Sequence, residues 1–262
     1  MGSTRAGRQG RQEGMETAEL QRMDGILEGY LWDGGYSVGG AGLGRHGRCY
    51  RCRCEFAIRF LPIFFHQEQD AGHNKERQRR RDMLTPTKLG GSGGHDAVAL
   101  ATAHPNLRLV VQDLHECAPI FASTVPSTLT SRVTFHEHSF FDPQPVEASV
   151  YLLKFIFHDW PDAECKQILQ ALRPALKPGA KLLFIEYMGK QREDVDEGLP
   201  RSIRQFGTST DLRMMALFNA RERPVGAWER ILKSADERFE IARLDANPLT
   251  YIVVIEVVWR GE

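Results

Sequence analysis

Between Leu89 and Trp259 short apolar runs alternate with stretches of helical periodicity, and this alternation restricts the chain more than any other feature. Gly90-Gly91-Ser92-Gly93-Gly94 forms a glycine-rich turn that leads into an alanine-rich helix ending before Pro105. Leu107–Val111 predicts a strand stopped at Gln112-Asp113, and Arg132–Phe135 predicts another. Ala148–Leu153 is apolar nearly throughout, as a central parallel strand covered on both faces must be. A helix follows in which Asp159 serves as cap and Pro161 occupies the first turn. Asp162 and Glu164 complement its positive end, and Cys165, Ile168, Leu169 and Leu172 make one apolar face. Leu182–Ile185 is a further buried strand, and helices are expected around 203–218 and 226–235. Phe239–Leu244 and Tyr251–Trp259 read as a closing antiparallel pair joined across Asn247-Pro248. Such alternation describes an α/β fold with a doubly wound, mostly parallel sheet.

The first 86 residues read differently and are expected to form an irregular N-terminal segment, with residues 87–262 as the folded domain. Only Met15–Gly29 has helical spacing, with Leu20, Met23, Ile26 and Leu27 on one side. Residues 45–81 hold ten basic groups against four acids, which reads as a solvated face. Over the whole chain 34 basic residues balance 34 acidic ones, so no global field points to nucleic acid or an anionic membrane. No apolar run reaches the roughly 18 residues of a membrane helix, because Phe56–Phe65 is broken by Arg59 and Pro62. The N-terminus has no secretory pattern and the five cysteines are an odd number, so the chain reads as cytoplasmic without a disulfide framework. Cys49, Cys52 and Cys54 lie close together, but no second pair follows at zinc-site spacing, and no metal is expected.

In an open α/β sheet, ligands bind outside the carboxyl ends of the strands. Four such ends carry chemistry. Gly90 and Gly91 open the glycine turn, and there the backbone and a helix N-terminus become accessible to a ligand, although the same glycines equally serve a tight turn. Asp113 ends the next strand, near the spacing at which an acid accepts hydrogen bonds from a ribose. The turn does not fit the G-x-x-x-x-G-K-[ST] pattern of triphosphate sites. His158 stands just before a helix start, where a base could meet a substrate or an imidazole could be held in packed interior. Glu186 ends the following strand, and Glu222 sits between Arg221 and Arg223, where an ordinary ion pair is the plainer reading.

Several stretches together carry a resemblance. They are Gly90-Gly-Ser-Gly-Gly-His95, His104-Pro-Asn-Leu107, Val110-Val-Gln-Asp-Leu114, His138-Ser-Phe-Phe141, Tyr151-Leu-Leu-Lys154, His158-Asp-Trp-Pro-Asp162, Leu176-Lys-Pro-Gly179, Asp211-Leu-Arg-Met214 and Arg221-Glu-Arg223. Over about 88–260 the chain resembles the fungal and plant small-molecule O-methyltransferases of the caffeate O-methyltransferase type. Gly25–Trp32 also resembles a segment that family places before its glycine turn. The resemblance implies a seven-stranded, Rossmann-like class I methyltransferase sheet. It further implies S-adenosylmethionine as cofactor and a small aromatic or polyketide-like hydroxyl compound of secondary metabolism as substrate. By matching positions, Gly90, Gly91, Asp113, Ser139, Phe140 and Lys154 would surround the cofactor, Asp113 at its ribose and Ser139 and Phe140 at its adenine. His158 would be the catalytic base, and Glu186 and Glu222 the acids that orient it. A phenol with a pKa near 10 is only about 0.1% ionised at pH 7, and a histidine near 6.5 is mostly free to accept its proton.

The chain also departs from that pattern. Where the family has an acid on the strand entering the glycine turn, Thr87-Lys88-Leu89 places a cation, which would repel the positive sulfonium of the cofactor by about 1 to 4 kcal/mol at 4 Å unless its long side chain swings into solvent. Pro86 removes a backbone donor and predicts a short strand. Ser139 stands where an aspartate is usual. The family's N-terminal helical domain, through which its members form homodimers, has no counterpart in residues 1–86, and residues 38–86 read as an insertion. These differences lead to the expectation of an N-terminally truncated gene product, with a catalytically impaired binding protein as the alternative to an enzyme. A nicotinamide dehydrogenase shares the glycine turn and ribose acid but would need a hydride-transfer constellation that this sequence lacks.

Overall fold

The computed structural model describes residues 85–190, 200–247 and 251–261. The expected Met15–Gly29 helix, the basic stretch 45–81, the Cys49/Cys52/Cys54 cluster, the Gly25–Trp32 fragment and nearly all of the 38–86 segment lie outside these residues.

The described chain forms strand β1 (Thr87–Leu89), helix α1 (His95–Ala103), β2 (Leu109–Asp113), α2 (Ala118–Thr124), β3 (Val133–Glu137) and β4 (Val150–Lys154). It continues with α3 (Asp162–Leu172), β5 (Lys181–Tyr187), α4 (Arg201–Phe218), α5 (Val225–Ala235), β6 (Phe239–Asn247) and β7 (Ile252–Trp259). The seven strands make one sheet in the order β3-β2-β1-β4-β5-β7-β6. Strands β1 to β5 pair in parallel, while β7 runs antiparallel between β5 and β6. The order steps outward in opposite directions from β1 and β4, so the carboxyl ends of these two strands flank the switch point at which such sheets bind ligands.

Burial follows the sequence pattern. β4 is buried from Tyr151 to Lys154 and β7 along its whole length, as strands with covered faces require. The amphipathic helices α3 and α5 bring Cys165, Ile168, Leu169 and Leu172, and Trp228, Ile231, Leu232 and Ala235, into one core with β4, β5 and β7. The Trp228 ring stacks on Phe157 at 5.7 Å and also meets Phe184, which seats the turn after β4 against the core.

Two local expectations are corrected. β2 does not stop at Gln112-Asp113 but continues through them. Gln112 remains buried because it exchanges two 2.9 Å hydrogen bonds with Gln144, which satisfies both amides. Asp159 does not cap α3. It belongs to a tight 3-10 turn, Phe157–Asp159, and Pro161 occupies the cap position instead. Helix α2, with Pro119 in its first turn, was not signalled by apolar periodicity, since it buries only Phe121. As Pro86 implied, β1 is only three residues long, and the Pro86 carbonyl still accepts from Val110 N at 3.1 Å.

Candidate active site

The carboxyl ends of β1, β2, β4 and β5 bring most of the expected residues to one edge of the sheet. Gly90 and Gly94 adopt φ of 59° and 78°, a region that favours glycine, and Gly94 N closes the turn onto Gly91 O at 2.8 Å. A side chain on Gly90 would collide with Ile156, and one on Gly91 with Val111. Glycine is therefore demanded by packing as well as conformation, and the turn offers a ligand its backbone rather than an empty side-chain space.

Asp113, at the end of β2, is fixed in orientation. Its Oδ2 accepts from Ser92 N at 2.7 Å and its Oδ1 from Leu114 N at 2.8 Å. Each carboxylate oxygen keeps a further lone pair for a hydroxyl donor. Leu114 is exposed and Phe140 half-buried, and a side chain on Gly90 would come within 3.7 Å of the Phe140 ring. Phe140 packs in turn on Phe141 and Trp160, at 5.0 and 5.9 Å between ring centres. Ser139 uses its hydroxyl locally to accept from Phe141 N at 3.3 Å. Lys154 is buried, and its ammonium binds Asp96 of α1 at 2.6 Å.

After β4 the chain turns sharply. Phe155 has φ of 53°, an uncommon conformation for a bulky residue and one that clusters at functional sites. It is held there by donation from its N–H to Ile185 O at 2.9 Å and by stacking on Tyr187 at 4.7 Å. His158 follows on the 3-10 turn, with the Phe155 and Tyr187 rings 5.7 and 5.9 Å away. Its Nδ1 lies 3.2 Å from Glu222 Oε1, and its Nε2 lies 3.5 Å from Asp159 Oδ1.

The two acids expected to orient His158 divide the work. Glu222 reaches the ring directly. Glu186 does not: its Oε1 accepts from Ile156 N at 2.9 Å and Phe157 N at 2.8 Å, so it fixes the turn that carries the histidine rather than the imidazole itself. The expectation that Glu186 orients the ring itself is thereby narrowed to the turn that carries it, and its Oε2 is buried without a hydrogen-bond partner. Burial raises the Glu186 carboxyl to about 7, against the opposing pull of His158 and the two N–H groups.

His158 itself is not an ordinary imidazole. Burial lowers its affinity for a proton, but the hydrogen bond to Glu222 and the charges of Glu186, Glu222 and Asp159 overcome this and raise it to about 9. The raised value favours the imidazolium at pH 7, in contrast to an ordinary histidine.

Arg223, which appeared in the sequence only as part of a motif, is the principal residue that the sequence reading left without a role. It is 2% exposed, and its guanidinium donates to Phe157 O, to Trp160 O at 2.6 Å and to Asp162 Oδ1 at 2.9 Å. It therefore ties both ends of the His158 turn to the start of α3. Burial alone would raise the Asp162 carboxyl, but the charges and hydrogen bonds of Arg223 and Arg221 lower it instead. The adjacent Glu222 is set by Asp211 of α4, whose carboxylate accepts from Glu222 N at 3.0 Å. Arginines flanking an acid gave the one available signal. Lys88 is the other surprise. Instead of swinging into solvent it is 3% exposed, with Nζ 3.1 Å from Leu89 O.

A profile of the O-methyltransferase domain family matches residues 82–237, more than half of the chain. The chain belongs to that family. Over 178 residues this O-methyltransferase domain is 40% identical to the O-methyltransferase lcsG of Purpureocillium lilacinum, a match covering 68% of this chain and 38% of the relative. It is 38% identical over 180 residues to the grayanic acid biosynthesis cluster O-methyltransferase of Cladonia grayi, covering 68% and 39%. The chain thus matches about two fifths of the length of these curated relatives. In structure the domain is similar to OxaC, solved in complex with S-adenosylhomocysteine (SAH) and oxaline, at 25% identity and a TM-score of 0.55 over 68% of this chain and 43% of that one. The seven-stranded, mostly parallel sheet is that of the class I methyltransferases, as expected.

Among the described residues there is no group of three or more metal-ligating side chains, and no helix is long and apolar enough to cross a membrane. Cys117 and Cys165 are free, and burial pushes the Cys165 thiol up to about 12, although Arg223 pulls it down.

Proposed function

We propose that this chain transfers a methyl group from S-adenosylmethionine to a hydroxyl of a small aromatic or polyketide-like molecule, with residues 87–262 as the methyltransferase domain. The observation that carries this reading is the His158 imidazole, gripped at Nδ1 by Glu222 on a turn at the switch point of the sheet. The relatives in fungal biosynthesis clusters and the likeness to a protein solved with SAH support it. The intact histidine–glutamate pair favours an enzyme over an impaired binding protein.

The residues present fit the cofactor in their chemistry. Asp113 offers an oriented acceptor for ribose hydroxyls, the Gly90-Gly91 turn presents backbone, and Phe140 and Leu114 supply apolar flanks for a planar base. Lys154, paired with Asp96, supports the neighbouring wall, and Ser139 shapes the loop that carries Phe140. When bound, S-adenosylmethionine supplies an electrophilic methyl group.

The protein's own contribution is the acceptor. Neutral His158 takes the hydroxyl proton at Nε2. Glu222 holds Nδ1–H, fixes the tautomer and stabilises the imidazolium that forms. Because the ring favours its proton up to about pH 9, it is a stronger base than an ordinary histidine and is less often available at pH 7. Proton transfer from a phenol of pKa near 10 to an imidazole at 9 is uphill by about 1.4 kcal/mol, against about 5 kcal/mol for one at 6.5. Strength is traded for availability, so turnover climbs with pH through 8. Holding reactants in line contributes roughly 7–11 kcal/mol and a base roughly 10²- to 10⁴-fold, so positioning matters more than the base.

The free thiols of Cys117 and Cys165 support a cytoplasmic setting. The test is purified protein with methyl-labelled donor against a panel of phenols. Label is expected in product for the native chain. His158→Ala is expected to lose at least 100-fold in turnover with donor affinity within threefold. A variant that keeps full turnover would refute the role given to the histidine.

A further inference from the structure

Lys88 is a buried amine for which the proposed reaction has no use. It is the middle residue of β1, flanked by Val111 of β2 and Leu152 of β4 in the sheet register. Its side chain runs beneath the glycine turn, where a Cβ on Gly91 would come within 3.1 Å of its Cγ. The ammonium donates to Leu89 O at 3.1 Å and approaches Gly90 O at 3.5 Å. The first residues of the turn thus receive donation from a cation. A carboxylate here could only accept.

The acids around Lys88 do not offset the cost of burying its charge. Asp96 on α1 faces Lys88, but its carboxylate already binds the Lys154 ammonium of β4 at 2.6 Å. Lys154 adds a second positive group. Glu186 of β5 and Asp113 of β2 act on Lys88 through space: Asp113 accepts a backbone N–H at each oxygen, and Glu186 accepts two at Oε1 while its Oε2 is buried without a hydrogen-bond partner. Burial lowers the amine to about 8, against the pull of Asp96, Glu186 and Asp113, and Lys154 lowers it further. It is therefore still mostly charged at neutral pH and mostly neutral by pH 9.

We propose that Lys88 is a charge-selective specificity residue of the donor site. Its ammonium beneath the glycine turn opposes the sulfonium of S-adenosylmethionine and tolerates the neutral thioether of SAH, so the chain favours the demethylated nucleoside until Lys88 is deprotonated. The inference rests on the donor-binding reading above and concerns charge alone. The two ligands share adenosine, carboxylate and amine, and differ by one methyl group and one positive charge.

Calorimetry with each ligand between pH 6.5 and 9 tests this on the native chain and on Lys88→Met, which keeps the length and apolar stem and removes the charge. In the native chain the affinity for S-adenosylmethionine is expected to rise at least tenfold across that range relative to that for SAH. In Lys88→Met the ratio of the two affinities is expected to move at least tenfold toward S-adenosylmethionine at pH 7, with most of its pH dependence lost. His158 and Glu186 also titrate in this range, and the variant separates their contribution from that of Lys88. A flat ratio in the native chain, or one unchanged by the substitution, overturns the assignment to Lys88 and leaves donor binding intact. Binding of neither ligand to either protein at any pH overturns both.

Discussion

Replacing Glu222 with glutamine removes a buried charge and keeps an oxygen that can accept from His158 Nδ1–H. In the native protein the imidazole is raised from 6.5 to about 9, which amounts to about 3 kcal/mol of preference for the charged ring in the folded state. The direction of the pH effect follows from that raised value. Stabilisation from His158 is fully present below pH 6.5, declines as the pH rises, and is lost above about 9. Glu222 supplies the only hydrogen bond to Nδ1 among the described residues, and its side chain is fully buried. An opposite charge at this range typically moves a pKa by roughly 1–3 units, so Glu222→Gln is expected to bring His158 down to roughly 6–8. Chemical denaturation should then show the variant about 2 kcal/mol less stable than the native chain at pH 6 and nearly equal to it at pH 9.5. The rising limb of the turnover profile should move to lower pH by at least one unit. A loss of stability that is the same at pH 6 and pH 9.5 would mean that Glu222 acts only through packing, and the electrostatic account of the site would fail.

Two further outcomes are expected. Arg223→Met leaves Phe157 O, Trp160 O and Asp162 without their donor, so denaturation should show a loss of about 3–5 kcal/mol, with Arg223→Lys recovering part of it. Gly90→Ala forces a Cβ into Ile156 at positive φ, so stability is expected to drop by more than about 1 kcal/mol and donor affinity by more than tenfold, as read by denaturation and calorimetry.

The sheet was legible in the sequence wherever burial imposes a pattern. The apolar runs at 148–153 and 182–185 became β4 and β5, and the punctuated segment after Pro161 became α3. What escaped were decisions made by partners far along the chain. Gln112 looks like a strand terminator until Gln144, 32 residues away, satisfies its amide. Asp159 looks like a cap until Phe155 adopts a left-handed conformation and tightens the turn behind it. At the site, spacing and resemblance singled out His158 and Glu222, whose side chains approach to 3.2 Å. They missed that Glu186 is captured by backbone donors and that Arg223 binds the turn, because both facts depend on which atoms a sharp bend exposes. The sequence left two courses open for Lys88, facing the site or escaping to water along its flexible stem, and a buried place on a central strand between two neighbours excludes the second.

The position of β7 affects how the molecule is made. The strand is translated after every other element of the sheet, yet it lies between β5 and β6 and bonds to both. While ribosomes are still synthesising residues beyond Asn247, the outer edge of β5 is complete but unpaired, with Leu182, Phe184 and Ile185 ready to capture any extended segment nearby. The nascent chain must pass through this sticky interval before Trp259 emerges, so yield in a cell should respond to elongation speed and to chaperones that shield strand edges.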